Sequence, residues 1–321
     1  MPMTASAPPP VYDVHCHFVP PATREYLAAS PAVTLTDRGI VRGPAVLPLP
    51  ARLSDADAFA AHRTGLAGAV VAPPPALYLE DLATGDAGYV REVNGPLADL
   101  ARGEARLAAL AWLPLSSPEA AVAEVERVAA DPAVAGVVIG TSLGTAVADP
   151  SLAPVWAALA EAGLGVFLHP DSDPFDSGCR PLPNPTPAGF PAATTAVALA
   201  LLTRGESFWN AGVNLCLPHG GGFLATALGR VLRADPGAAA LVRDRLRQVW
   251  VDTVVFGDGL LEFVVAAFGP DRVLSGSDWP FPLSMSAEDL IAQRGDVLRT
   301  AAEPAAWCPR LARLTSGGVS Q

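Results

Sequence analysis

Eight short apolar segments alternate with helix-like segments along almost the whole of this 321-residue chain. Each apolar segment is hydrophobic on both faces, which is typical of parallel strands covered by helices. Strict alternation of eight strands with helices predicts an α/β fold, the (β/α)8 or TIM barrel. A doubly wound open sheet is the rival, but no Gly-x-Gly-x-x-Gly turn follows the first strand. The predicted strands are residues 11–17, 66–72, 106–113, 135–140, 165–169, 213–219, 249–255 and 272–277.

Two segments interrupt the alternation and give the predicted domain organisation. Residues 18–52 are predicted to form a small β insertion after the first strand, and the proline-rich residues 170–190 an irregular loop. Residues 1–10 are predicted to be a flexible tail, and residues 11–321 a single barrel domain. The predicted helices are residues 54–64, 86–102, 117–131, 151–162, 191–210, 222–247, 258–268 and 286–300.

The composition excludes several classes of function. All 21 basic residues are arginine, which rules out a Schiff-base lysine, a carbamylated-lysine metal bridge and a phosphate-loop lysine. A net charge of −11 without a basic run argues against nucleic acid or an anionic membrane as partner. No apolar stretch approaches the ~20 residues of a membrane span. The four scattered cysteines predict no disulfide framework, so a cytoplasmic location is expected.

Four of the five histidines lie at predicted strand ends, where a metal-dependent barrel enzyme needs them. His15 and His17 share one strand, and their two-residue offset places both imidazoles on the same face. His169 and His219 end two further strands, and Asp278 ends another. Neutral imidazole and carboxylate are the usual ligands of Zn²⁺ and similar ions. Because active sites of TIM barrels lie at the carboxyl ends of the strands, the sequence predicts a metal site there.

The remaining polar candidates rank lower. His62 lies on a predicted helix away from the strand ends and is interpreted as a solvated side chain. Asp252, in the seventh strand, is interpreted as a hydrogen-bond acceptor behind a metal ligand rather than as a catalytic acid. Asp171 and Asp173 follow the fifth strand, where they either contact substrate or form turns.

Four sequence motifs resemble those of the amidohydrolase superfamily over nearly the full length of the chain. Within it, they resemble the branch that contains aminocarboxymuconate semialdehyde decarboxylase and γ-resorcylate decarboxylase. The motifs are Asp-Val-His-Cys-His at 13–17, Val-Phe-Leu-His-Pro at 166–170, Pro-His-Gly-Gly-Gly-Phe at 218–223 with Gly-Arg at 229–230, and residues 271–282 around Ser-Gly-Ser-Asp-Trp-Pro. The last two are long and specific, and they favour the semialdehyde decarboxylase side.

The resemblance implies one divalent metal per chain, usually zinc, with manganese possible. Its ligands would be His15, His17, His169 and Asp278. His219 would lie beside the metal-bound water and act as the catalytic base without being a full ligand. Asp278 would thus be both a ligand and a member of the catalytic group.

The resemblance also implies a homodimer and a small carboxylate substrate. Arg230 matches an arginine that reaches across the dimer interface to a substrate carboxylate. A second arginine, expected just before Ala61, is absent, and residues 183–187 replace an expected loop aromatic. The substrate is therefore expected to differ from that of the namesake enzyme. Trp279 and Phe281 either wall the substrate pocket or pack the mouth of the barrel.

Three functions are compatible with these residues. The first is a zinc-dependent, non-oxidative decarboxylase of a small unsaturated or aromatic carboxylic acid. The alternative is a hydrolase of a lactone or amide, or a hydratase, of the same superfamily, because one metal site serves either reaction. The third is a protein with a purely structural metal. The spare histidine at position 219 argues against the third, because a structural site does not need it.

Overall fold

The structure, a computed structural model, describes residues 10–171, 186–257, 259–296, 298 and 302–316. Residues 1–9 of the predicted tail and residues 172–185 of the predicted proline-rich loop lie outside these ranges. Residues 186–190, predicted to belong to that loop, instead form the start of a helix that runs from Thr186 to Arg204, so the predicted loop boundary is wrong. The strands within them are β1 (Tyr12–His17), β2 (Thr34–Leu35), β3 (Gly39–Arg42), β4 (Ala45–Pro48), β5 (Gly68–Ala72), β6 (Leu107–Trp112), β7 (Val134–Ile139), β8 (Gly165–Leu168), β9 (Leu215–Leu217), β10 (Val249–Asp252) and β11 (Val273–Leu274).

Eight of these strands form a parallel sheet that closes into a barrel. Their order is β1-β5-β6-β7-β8-β9-β10-β11, and each hydrogen-bonded pair is parallel. The last strand and its extension return to β1, where the amide of Val14 donates to the carbonyl of Ser275 at 2.9 Å. The amide of His17 likewise donates to the carbonyl of Trp279 at 2.8 Å. The predicted TIM barrel is confirmed.

Helices cover the outside of the barrel in nearly the predicted order. Residues 222–247 form two helices instead of one, because Asp235-Pro236-Gly237 interrupts the helical run. The helices are α1 (Pro21–Ala29), α2 (Ala56–His62), α3 (Glu80–Gly85), α4 (Ala87–Arg102), α5 (Pro118–Ala129), α6 (Ala153–Ala162), α7 (Thr186–Arg204), α8 (Glu206–Ala211), α9 (Leu224–Ala234), α10 (Ala239–Arg245), α11 (Leu260–Phe268), α12 (Ala287–Asp296), α13 (Pro304–Trp307) and α14 (Ala312–Ser316).

The segment between β1 and α2 contains the predicted β insertion. Strands β2, β3 and β4 form a separate antiparallel sheet, and α1 precedes it. A 3-10 turn at Ala51–Ser54 then leads into α2, and its Leu53 carbonyl accepts a bond of 2.7 Å from the amide of Val19. This bond ties the end of the insertion to the loop that follows β1, at the carboxyl face of the barrel.

Alternation along the strands separates the barrel interior from the layer beneath the helices. Phe167, Cys216 and Trp250 belong to one buried cluster, whereas Cys16 packs with Ala69 and Val71 in another. Cys16 and Cys216 are fully buried free thiols, as expected of cysteines within strands.

In the part of the chain that the structure describes, α7 alone has the length and apolar composition of a membrane span. Half of its most apolar window is nevertheless buried inside the protein, and Val197, Leu201 and Leu202 belong to the core beneath the helices. The helix therefore packs as part of the outer layer of the barrel.

Candidate metal centre

Three histidines and one aspartate meet at the carboxyl end of the barrel. His15 and His17 lie on β1, His169 follows β8, and Asp278 follows β11. All four are buried, and one ligand atom from each lies within 4.8 Å of the others. Residues 263 positions apart in sequence meet here because the barrel brings the first and last strands side by side. The four predicted metal ligands therefore occupy one site.

The distances within the cluster fit a shared cation. Asp278 Oδ1 lies 3.2 Å from His15 Nε2, 3.3 Å from His17 Nε2 and 3.8 Å from His169 Nε2. His15 Nε2 and His17 Nε2 are 3.2 Å apart. Asp278 Oδ1 and His169 Nε2 are buried without a hydrogen-bond partner. Buried polar atoms without partners are costly, and a divalent cation among these nitrogen and oxygen donors would satisfy them.

The outer nitrogens of two imidazoles bind backbone carbonyls. His17 Nδ1 lies 3.3 Å from the carbonyl oxygen of Pro73, and His169 Nδ1 lies 2.9 Å from that of Pro170. A carbonyl can only accept, so each Nδ1 carries the proton. The Nε2 lone pairs of both rings therefore face the centre, ready to coordinate a metal.

A buried carboxylate holds the third imidazole. Asp252 Oδ2 lies 2.6 Å from His15 Nδ1, and its other oxygen accepts from the amide of Gly220 at 2.9 Å. The prediction that Asp252 acts behind a metal ligand is thus confirmed. The same carboxylate connects β10 to the turn after β9, so it fixes both the ring and that turn.

The protonation of the cluster follows from burial and from two carboxylates. Burial lowers the pKa of His17, and it lowers that of His169 to about 3. Burial also acts against the charged form of His15, but the carboxylates of Asp278 and Asp252 outweigh it and raise its pKa to about 10. Burial would raise the pKa of Asp278, but the charge of His15 and the hydrogen bond from its imidazole hold that pKa well below its usual range. Without a cation, His15 is therefore the charged imidazolium at neutral pH, with a proton on each ring nitrogen.

His219 lies next to the cluster rather than within it. Its Nε2 is 3.4 Å from Asp278 Oδ2, the oxygen that faces away from the other three imidazoles. Its side chain is 14% exposed, whereas those of the other three histidines are at most 3% exposed. A partly exposed imidazole bonded to a ligand carboxylate can exchange a proton with a substrate.

Within the described part of the chain, left-handed backbone occurs at two non-glycine residues, both in this site. His219 has φ +56° and Asp278 has φ +58°, a region that side chains with a Cβ seldom adopt. Gly220 and Gly222 continue the turn after His219 with φ +63° each. A Cβ on Gly222 would collide with the carbonyl oxygen of Pro191, so glycine is required there. Such strained backbone persists only where the surroundings fix it.

The three predicted substrate-binding residues lie in different places. The ring of Phe281 is half-buried, with its centroid 5.3 Å from that of His17, so it borders the cluster. Arg230 is exposed on α9. Trp279 is 4% exposed and packs with Phe59 and Cys16 beneath α2, on the opposite side of the strand from the metal ligands. The structure thus contradicts Trp279 as a pocket wall, because that ring is a packing residue.

His62 is not solvated, contrary to the sequence-based interpretation. It is 9% exposed, its Nε2 lies 2.9 Å from Asp13 Oδ2, and its ring stacks on Trp279. The available signal was the spacing of Phe59 and His62, which places both on one face of α2. A helix that buries Phe59 necessarily buries the residue three positions later on the same face.

Two further residues, Arg52 and Asp171, make contacts at the mouth of the barrel. The guanidinium carbon of Arg52 lies 5.9 Å from the ring centroid of Trp279. Asp171 accepts bonds from the amide and the hydroxyl of Thr141 at 2.8 and 3.0 Å, which joins the loops after β7 and β8. Asp171 thus ties two loops together instead of forming a turn within its own loop, and Asp173 lies outside the described residues.

The amidohydrolase family profile matches residues 12–308 of the chain. The chain is 29% identical over 187 residues to 2-amino-3-carboxymuconate-6-semialdehyde decarboxylase of Dictyostelium discoideum, covering 56% of this chain and 52% of that protein. It is 29% identical to 6-methylsalicylic acid decarboxylase acuB of Aspergillus aculeatus, covering 84% of this chain and 83% of that one. The chain thus spans about half the length of the first relative and most of the second. The predicted resemblance to the decarboxylase branch is confirmed.

Solved structures show the same fold. The apo crystal structure of Metarhizium anisopliae IDCase superposes with a TM-score of 0.75 at 24% identity, covering 96% of this chain and 97% of that one. A dihydroxybenzoic acid decarboxylase from Polaromonas sp. JS666, crystallised with manganese and the inhibitor 2-nitroresorcinol, gives a TM-score of 0.70 at 19% identity, covering 97% and 98%. The metal bound in that protein is manganese.

Proposed function

Since the chain belongs to the amidohydrolase family, we propose that it is a metal-dependent, non-oxidative decarboxylase of a small aromatic or unsaturated carboxylic acid. The observation that carries the proposal is the cluster of four ligand atoms within 4.8 Å, with a fifth, partly exposed imidazole beside it. The names of the curated relatives, which are decarboxylases, support this reaction over hydrolysis.

Zinc is our first assignment for the cation, with manganese as the other candidate that the fold relative supports. Three imidazoles with one carboxylate suit zinc, and the same donors accept manganese. A divalent cation bound here would act as a Lewis acid towards an oxygen of the substrate or of water. Reconstitution of metal-free protein with each ion, followed by activity measurement, distinguishes the two.

The residues of the chain would supply the proton that the reaction requires. When a carboxylate leaves as CO₂, the carbon–carbon bond breaks and its electron pair stays on the remaining carbon, which must take up one proton. His219 Nε2 and Asp278 Oδ2 are 3.4 Å apart and can hold that proton between them. We assign His219 as the acid–base group. Asp278 would both share the proton with His219 and coordinate the metal. Solvent restores the proton through the exposed part of His219.

The substrate would lie between the cluster and the half-buried Phe281 ring, which offers an apolar wall near His17. A positive group is needed for the substrate carboxylate, because an unpaired carboxylate in a buried site is costly. We assign this role to Arg230 of a second subunit.

A homodimer is supported by an exposed apolar surface beside α9. Phe223 precedes this helix, and Phe256, Leu260 and Phe263 lie on or just before α11, which packs beside it. These four side chains are 39–53% exposed, whereas large apolar groups are normally buried. A second copy of the chain that covered this surface would also lie close to Arg230.

Mixed subunits test the dimer and the role of Arg230 together. Arg230→Ala and His219→Ala are each expected to be inactive and to retain metal. If one site uses groups from both chains, mixing them restores part of the activity, because one hybrid site is intact. A monomer by light scattering at the assay concentration rules out the shared site.

The decisive experiment for the function is CO₂ release from a panel of hydroxybenzoic and unsaturated carboxylic acids, compared with hydrolysis of lactones and amides by the same preparation. Metal-dependent CO₂ release that His219→Asn abolishes supports the proposal. Hydrolysis without CO₂ release would replace it by the hydrolase alternative. We further expect a cytoplasmic protein without nucleic-acid or membrane partners, in line with the net charge of −11.

A further inference from the structure

The fifth histidine belongs to a buried polar cluster directly behind the metal centre. Asp13 is fully buried, and its carboxylate accepts from the amides of His15 at 3.1 Å and Ser277 at 3.0 Å. It also accepts from the Ser277 hydroxyl at 2.6 Å and from His62 Nε2 at 2.9 Å. One carboxylate therefore joins three segments that are far apart in sequence: β1, the extension of β11, and α2.

The ring of His62 contacts the same extension a second time. It stacks on the Trp279 ring with centroids 5.3 Å apart and an interplanar angle of 17°. The amide of Trp279 donates to the Ser277 hydroxyl at 3.0 Å, and Phe59 packs against the indole at 5.4 Å. His62 thus contacts both residues that flank Asp278, since its Nε2 also lies 3.2 Å from the Ser277 hydroxyl.

This cluster is not a nucleophilic Ser-His-Asp triad, although it contains the same three residue types. Ser277 and Asp13 both face the same nitrogen of His62, whereas a triad uses the two ring nitrogens in series. The Ser277 hydroxyl donates to Asp13 at 2.6 Å, a shorter distance than the 3.2 Å between that hydroxyl and His62 Nε2. The side chains of Ser277, Asp13 and His62 are all buried. The cluster therefore acts on its neighbours through geometry and not through covalent chemistry.

We propose that His62 is a positioning residue that fixes Asp278 from outside the barrel. Asp278 has φ +58°, an unfavourable value that neighbouring contacts must maintain. His62 supplies two of these contacts, a hydrogen bond to Asp13 and a ring stack on Trp279, and α2 thereby sets how the carboxylate faces the cation. The proposal rests on the metal centre of the proposed function. Groups behind metal ligands orient them and tune metal binding in this way.

Cobalt(II) provides a test that does not depend on turnover, because its visible absorption bands report the geometry of the ligands. His62→Phe keeps a ring against Trp279 and removes the N–H group, whereas His62→Gln keeps an N–H donor for Asp13. We expect His62→Phe to weaken cobalt binding about 10- to 100-fold and to change the bands. His62→Gln is expected to keep most of the affinity and the wild-type spectrum.

A buried polar residue on another side of the barrel serves as the matched control. Asn94 is 2% exposed and donates to the Trp112 carbonyl at 2.9 Å and to Glu124 at 2.7 Å. Asn94→Leu is expected to lower the melting temperature but to leave the cobalt spectrum unchanged. If His62→Phe behaves like this control, His62 is merely structural and the proposal is wrong.

Two other outcomes are also decisive. Should His62→Phe fail to fold, Ser277→Ala removes the hydroxyl between Asp13 and the amide of Trp279 with little loss of volume. An unchanged cobalt spectrum and affinity in Ser277→Ala then overturns the proposal, and an altered spectrum supports it. If the wild-type protein binds no cobalt, the metal centre itself is wrong and the role of His62 falls with it. Normal wild-type binding with an unaltered His62→Phe protein refutes the role of His62 alone.

Discussion

His15, on the β1 side of the metal centre, makes more hydrogen bonds to surrounding groups than His169 and His219 on the opposite side. On the β1 side, the ring of His15 is bonded to the buried carboxylate of Asp252, and its backbone amide to that of Asp13. On the other side, His169 Nδ1 meets only the carbonyl of the next residue, and His219 Nδ1 is buried without a hydrogen-bond partner. Two buried carboxylates therefore fix His15, whereas His17 on the same strand and His169 on the other side each bind one backbone carbonyl.

This difference corresponds to different chemical tasks. A ligand must present one lone pair in one direction, and buried carboxylates behind it preserve that direction. A group that takes up and releases a proton changes its charge during each turnover, so a fixed counter-charge behind it would favour one state too strongly. His219 faces a single carboxylate and has no second one behind it in the described part of the chain. We expect substitutions on the two sides to affect different measurements.

The largest expected effect is the loss of a ligand on the β1 side. His15→Ala or His17→Ala should abolish metal binding and reduce activity to background, because two imidazoles of a small donor set come from this one strand. Elemental analysis of the purified variants, with about one metal per wild-type chain as reference, checks this. Full metal occupancy in both variants contradicts the ligand assignment.

The next effect separates His219 from the ligands. His219→Asn should keep nearly all the metal and lose about 10²- to 10⁴-fold in turnover, the usual contribution of a general acid or base. Parallel metal analysis and kinetics, with His169→Ala as the comparison, are required. If His219→Asn loses its metal as readily as His169→Ala, His219 is a ligand and the contrast between the two sides disappears.

A smaller effect is expected from the carboxylate behind His15. Asp252→Asn removes the charge opposite His15 Nδ1 and should weaken metal binding about 10- to 100-fold. Glu124→Gln is the control, because Glu124 is also a buried carboxylate, 5% exposed, but lies away from the centre. Metal titration by calorimetry distinguishes the two variants. Equal affinities would show that metal binding does not depend on the negative charge of Asp252 behind His15.

Counted per pH unit, the smallest effect is the pH dependence of metal binding. The pKa of His15 in the metal-free protein is about 10, so at neutral pH a cation must displace one proton from it. The pKa of His169 is about 3, so this ring is already neutral and releases none. Apparent affinity should therefore fall about tenfold for each unit that pH decreases between about 8 and 6. A flat profile would mean that His15 is neutral before the metal binds.

The barrel and its ligand set were accessible from the sequence because both follow from simple regularities. Strand alternation is repeated eight times, and each of the three segments that carry the predicted ligands is a local pattern. The rule that parallel strands end on one face grouped His15, His17, His169, His219 and Asp278, and the family resemblance separated His219 from the other four.

The residues behind the ligands were harder to predict, because their roles depend on contacts distant in sequence. His62 was misinterpreted as solvated and the two alternatives for Trp279 stayed open, since the stack between them forms only once α2 packs against the extension of β11. Asp13 was recognised as part of a motif, but its bonds to Ser277 could not be inferred from spacing. The position of Arg52 similarly depends on how the β insertion folds back onto β1.

The bond between Asp13 and Ser277 joins positions 264 residues apart, and β11 beside it contains only two residues. A chain still emerging from the ribosome therefore has no complete cation site until Asp278 has been synthesised. Closing so long a loop costs conformational entropy before any contact between its ends can stabilise it. We therefore expect the contact between β1 and the extension of β11 to form late in folding. A cation that binds only the closed barrel shifts the equilibrium towards it. In such a chain the metal would hold β1 and the extension of β11 together, and its loss would favour separation of these two segments.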